Sequence, residues 1–190
     1  MKKLLTFTVT ITIIIFYVLN SGCIMSTILI SSALTKQICI SKMTVEKGAI
    51  PPDFGTTTST LICIIRERKG YDKYLKKHVR NEYHGKYTFA TWDEFDTCIE
   101  YSDLDKYQYV FAGELHNSVY TTLQNPTNPY STGPSGNYSF QEMSTTSETF
   151  YILDRKNNKA YPSPYRSSMF AKMIQAYMIN LEKERIKKQR

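Results

Sequence analysis

Three kinds of chemistry are missing from this 190-residue chain. It has no Cys-x-x-Cys, so neither a dithiol redox site nor a zinc knuckle is expected. Its three histidines include no pair at metal-ligand spacing. There is no Gly-x-Ser-x-Gly elbow and no glycine-rich loop to cradle phosphates. Neither a cofactor nor a metal is therefore expected. Charge is also missing locally, because no Asp, Glu, Lys or Arg lies between Lys3 and Lys36.

That uncharged stretch is the most informative part of the chain. Lys2 and Lys3 precede a run rich in Leu, Ile, Val, Phe and Thr, the pattern of an export signal or a membrane anchor. Three endings fit it. Ser21-Gly22-Cys23 resembles the lipobox of bacterial lipoproteins, which implies acylation of Cys23. Asn20 stands where such a motif usually has leucine, and Leu19 lies one residue early. Leu4 to Leu29 is long enough to span a bilayer, which takes about 20 residues. Ser31-Ser32-Ala33 offers a signal-peptidase site. All three readings place the body outside the cytoplasm, membrane-anchored in the first two.

Residues 1–35 are thus read as signal or anchor and 36–58, with Pro51-Pro52 and Gly55, as a linker. Residues 59–190 are read as a single domain. The net charge is +7, but Lys183, Arg185, Lys187, Lys188 and Arg190 crowd the C-terminus, where cations suit the negative end of a helix. No stripe of basic residues interleaved with aromatics lies elsewhere, so no nucleic-acid partner is expected. Cys63 and Cys98 both read as core-facing, and buried cysteine mostly behaves as a small hydrophobe.

Within the body, Thr60 to Ile65 is a short apolar run of the kind that forms a strand buried on both faces. Tyr71, Tyr74, Leu75, His78, Val79 and Tyr83 recur at helical spacing before Gly85. Tyr87 to Ala90 reads as a second strand. Thr91 to Glu94 has capping-box spacing, with Trp92, Phe95, Cys98 and Ile99 as the apolar face of a second helix. Tyr107 to Leu115 is a third strand, and His116 to Ser147 reads as a long polar loop. Thr149 to Leu153 with Ala160-Tyr161 forms a hairpin. Met169, Phe170, Met173, Ile174, Tyr177 and Leu181 mark a C-terminal helix.

The expected fold is an α/β sandwich with a mixed sheet. The order of elements is similar to thioredoxin-like topology, and TFYILDRKNNKAY resembles the hairpin before the last helix of that fold. Ser147-Glu148 stand where the fold carries a proline, and its cysteine pair is missing. A Rossmann-like open sheet is the other topology that this order fits.

In such sheets ligands bind beyond the carboxyl ends of the parallel strands. The residues there are Arg66, Glu67 and Arg68, then Thr91 and Asp93, then Glu114 and His116. Arg66, Arg68, Glu114 and His116 are the candidate ligand-binding set. They would suit a small anionic ligand, with the long loop as a cover. The favoured function is a membrane-attached, non-catalytic binding or interaction domain, with a protein as the other expected partner. The alternative is an envelope hydrolase using Glu114 and His116 as acid and base.

Overall fold

An unbroken run of apolar residues satisfies both faces only inside a protein, and all four positions of β1 (Leu61–Ile64) are buried. The computed structural model describes residues 32–124 and 139–190. Cys23, the charge-free run before residue 32 and the middle of the expected loop lie outside the described residues. After β1 come α2 (Lys69–Glu82), β2 (Tyr87–Ala90), α3 (Trp92–Thr97) and β3 (Tyr109–Gln124). Then follow β4 (Ser139–Asp154), β5 (Lys159–Pro162) and α4 (Phe170–Lys188). Ahead of them, residues 32–42 are helical and form α1.

The strands make one mixed sheet in the order β2-β1-β3-β4-β5. β1 is parallel to both β2 and β3, whereas β4 runs antiparallel to β3 and to β5. The chain leaves β1 toward β2 and returns past β1 to β3. Right-handed crossovers in opposite directions put their helices on opposite faces. Residues of α2 and α4 therefore cover Leu61, Cys63, Phe111 and Phe150, while Phe95 of α3 lies over Ile62, Ile64 and Val110. The α/β sandwich with a mixed sheet is the fold observed.

The first face holds the larger core. Phe111 stacks on Phe150 with ring centres 5.4 Å apart and meets Tyr177 edge-on at 5.3 Å. The segment read as a linker belongs to this core, because Cys39, Met43, Ala49, Ile50 and Phe54 are all buried in it. The side-chain amide of Asn180 in α4 donates to the backbone carbonyls of Ile40 (2.9 Å) and Met43 (2.6 Å). Tyr177 Oη donates to Ala49 O at 2.9 Å. Apolar residues scattered through Cys39 to Phe54 lack a helical or strand period, so only packing shows that they are internal. Asn180→Ala should lower stability by about 1–3 kcal/mol, because a buried and a partly buried carbonyl lose their donor. Thermal melting checks the loss, and limited proteolysis should show earlier cleavage near residues 40–50.

Two further expectations are corrected. α3 has no buried residue, Ile99 is 87% exposed and Cys98 is exposed, so the second helix carries no apolar face of four residues. The capping box is present, with Thr91 Oγ1 accepting from the Glu94 amide and Glu94 accepting in return from the Thr91 amide. The helix stops after six residues, too short to display a full stripe. Cys63 and Cys98 consequently do not share a core.

The long polar loop is the other correction. β3 continues through His116 to Gln124 and β4 starts at Ser139, paired in register from Tyr109↔Asp154 to Gln124↔Ser139. β1 follows β3 only to Phe111. Beyond that point the two strands run on as a ribbon, with Asn117, Ser118 and Val119 on one strand and Ser144 to Thr146 on the other exposed. Where a ribbon is wet on both faces, as at residues 117–119 and 144–146, no apolar alternation is needed and the segment looks like a loop. The Thr, Val and Tyr content of residues 119–122 was the available strand signal.

Candidate functional site

β1 stops at Ile64, while β3 beside it runs on to Gln124. Ligands in α/β sheets bind beyond the carboxyl ends of parallel strands, which here is the space beyond β1 and alongside β3. The residues that meet there are Arg66 just after β1, Gly113 within β3, Glu148 from β4 and Tyr71 from α2.

Arg66 lies across β3 at Gly113. A Cβ added to Gly113 would come within 2.6 Å of Arg66 Nη2 and 2.8 Å of the Phe150 ring, so only glycine leaves room. Arg66 Nη1 stands 3.3 Å from Glu148 Oε2, and both side chains are largely buried. The guanidinium carbon sits 4.4 Å from the centre of the Tyr71 ring, a cation–π contact. The same ring stacks near-parallel with Phe150 at 6.3 Å.

The charges of this cluster are incompletely matched. Arg66 Nη2 and Tyr71 Oη are both buried without a hydrogen-bond partner. Burial pushes the Tyr71 hydroxyl well above its ordinary range, so it stays protonated and remains a donor. Burial also pushes the Glu148 carboxyl up, against the pull of Arg66 and Arg68. The backbone of Glu148 is held by Ser167, N to O at 3.0 Å and 3.3 Å.

The turn from β1 into α2 is strained. Glu67 has φ of 56°, in the left-handed region that a residue with a Cβ rarely adopts. The Arg66 amide is held by Asp72 Oδ1 at 3.0 Å. Arg68 is the N-cap of α2, and its side chain caps nothing. A crevice of about 190 Å³ opens beside this turn, lined by Ile65, Arg66, Glu67, Thr91, Trp92 and Asp93. The expected set is thus partly assembled. Arg66 is central, Arg68 acts on Glu148 through charge, and Thr91 and Asp93 line the neighbouring crevice.

Glu114 and His116 are placed elsewhere. Alternation along β3 puts them with Val110 and Ala112 on the α3 side, opposite Phe111 and Gly113. His116 Nε2 lies 3.8 Å from Glu114 Oε2, and the Glu114 side chain is 67% exposed. Among the described residues no loop covers the four, since the chain from His116 to Gln124 is strand.

Tyr71 and Glu148 are the two site residues that sequence reasoning missed. Tyr71 follows the apolar period of its helix, so it reads as core. Glu148 does carry a signal: it falls in the inward phase of Phe150 and Ile152, where a lone carboxylate needs a partner.

A second cavity of about 190 Å³ lies at the opposite end of the sheet, lined in part by Thr57, Ser59, His84, Lys86 and Arg185. Its arginine is already committed, donating to Glu182 at 2.8 and 2.6 Å and to Gln189 at 2.7 Å. No protein-family model matches this chain, and no curated protein is significantly similar to it.

Proposed function

We propose that this protein is an exported, membrane-attached binding domain, with no catalytic step, that takes a carboxylate- or phosphate-bearing ligand at Arg66 and Tyr71. One observation carries the reading. Two buried donors, Arg66 Nη2 and Tyr71 Oη, lie together just beyond the carboxyl end of β1, beside Gly113 of β3, with no acceptor among the described residues. An unpaired buried donor costs roughly 1–3 kcal/mol, and an oxyanion supplies what both groups lack. The ligand would bind at Arg66 Nη2 and Tyr71 Oη and leave the pair between Arg66 Nη1 and Glu148 in place. The order β2-β1-β3 of the three parallel strands supports the Rossmann-like alternative, whereas the antiparallel β4 and β5 suit the hairpin of the thioredoxin-like one.

Binding is favoured over hydrolysis because of where Glu114 and His116 lie. Their contact of 3.8 Å lies on the α3 side of β3, opposite Gly113, and the two groups are too far apart for a hydrogen bond. Membrane attachment rests on Lys2, Lys3 and the run before Lys36, and acylation rests on Cys23 after Gly22.

Thermal shift with inorganic phosphate and with acetate tests the site. A rise in melting temperature is expected for the native chain, and none for the Arg66→Ala, Arg68→Ala double variant measured against its own baseline. A shift that survives the double substitution would place the anion elsewhere. For attachment, labelling with radioactive palmitate should mark the native chain and not Cys23→Ser. Recovery of unlabelled native protein in the soluble fraction would contradict attachment.

A further inference from the structure

We infer that the outer surface of the helical layer is a lipid-docking face, which lies against the headgroups of the membrane that holds the chain. The inference rests on the proposed membrane attachment. Tyr74 of α2 and Phe170 of α4 meet edge-on at 5.9 Å, and an open cavity of about 310 Å³ beside them is floored by Ser168 and Met169. Two large apolar groups here face solvent: Tyr74 is 39% exposed and Met169 38%.

Three helices surround this patch with cations. Burial holds His78 below its ordinary range, and Lys77 of α2, Lys172 of α4 and Lys36 of α1 all act in the same direction. These three lysines therefore lie near enough to His78 to act on it through charge, and the His78 ring stacks on Tyr74 at 6.3 Å. Glu82 is the carboxylate on that side, and Gln175 engages it at 2.7 Å. The result is an apolar centre with a basic collar, the composition that suits an anionic bilayer surface. A tyrosine at the rim adds an interfacial anchor.

The connection of the chain selects lipid as the occupant. Ser32, which lines the same cavity, joins the body to the apolar run before it. If that run is in or on the membrane, Tyr74, Met169 and Phe170 lie where it emerges. Among the described residues no helix is long and apolar enough to cross a membrane. The body would then lie on the surface through a patch and a charge collar.

Fluorescence on the full chain tests this. In a Trp92→Phe background, Met169→Trp places a reporter on the patch and, in a separate variant, Ile99→Trp a control on the far side of the sheet. Vesicles of brominated phosphatidylcholine mixed with phosphatidylglycerol should quench the patch reporter and leave the control unchanged. Each lysine near an anionic surface is worth roughly fivefold in partitioning. Substituting Lys36, Lys77 and Lys172 together by glutamine should therefore weaken quenching of the patch reporter on these vesicles roughly a hundredfold in lipid concentration. Equal quenching of the two reporters, or none of either, overturns the docking face. Co-flotation of the native chain with pure phosphatidylcholine vesicles reads attachment separately, so failure of the anchor and failure of the face are distinguishable.

Discussion

Phe111→Ala should cost about 3–5 kcal/mol of stability, the range for removing a fully buried aromatic ring. Phe111 is completely buried on the central strands, between Phe150 at 5.4 Å and Tyr177 at 5.3 Å. It therefore joins β3, β4 and α4, and its loss leaves a cavity that three elements must close. Ile99→Ala is the matching control. That side chain is 87% exposed, so the change should stay within about 0.5 kcal/mol. Chemical denaturation of both variants gives the comparison. A large loss at Ile99 would show that the α3 side carries more of the core than its burial indicates.

Arg66→Met should be the most damaging change at the candidate site, about 3–5 kcal/mol at neutral pH, because it strands a buried carboxylate. Glu148 already has its pKa raised from the ordinary value of 4.5 by burial, and Arg66 is the first of the charges that oppose the rise. Losing the arginine raises that pKa further. A carboxyl raised in the folded state binds its proton more tightly there than in the unfolded chain. Its stabilising share is present below 4.5 and lost as pH rises through the folded value. The gap between native and Arg66→Met should therefore narrow as pH falls toward 4.5. A gap of constant size across that window would mean that Glu148 is not ionised beside Arg66 in the native protein. The double variant Arg66→Met, Glu148→Leu should recover most of the loss, since it buries no charge.

How much of this was readable before folding varied with the physical signal. Thr60 to Ile65 was legible because a continuous apolar run has no stable place outside a core. The α2 period was legible because Leu75, His78 and Val79 recur on one side of a helix, and all three are buried. The ribbon was not, because strands wet on both faces need no alternation, and Asn117 to Val119 resemble any exposed segment. The core role of Cys39 to Phe54 was hidden for a related reason: its apolar residues follow no period, and α4 holds them by contacts from Tyr177 and Asn180.

The candidate site divides in the same way. Arg66 could be placed at a strand end from the chain alone, because a parallel strand must stop where its apolar run stops. Its partner could not. Glu148 lies 82 residues away, and only the antiparallel return of β4 brings it to 3.3 Å. Glu114 was expected beside Arg66 because it lies at the end of the third strand, yet side-chain alternation turns it to the opposite face. Local composition therefore decided which segments are strands and helices and where the strands end. Tertiary structure decided which side of the sheet each polar residue faces, because that depends on register and pairing between distant segments.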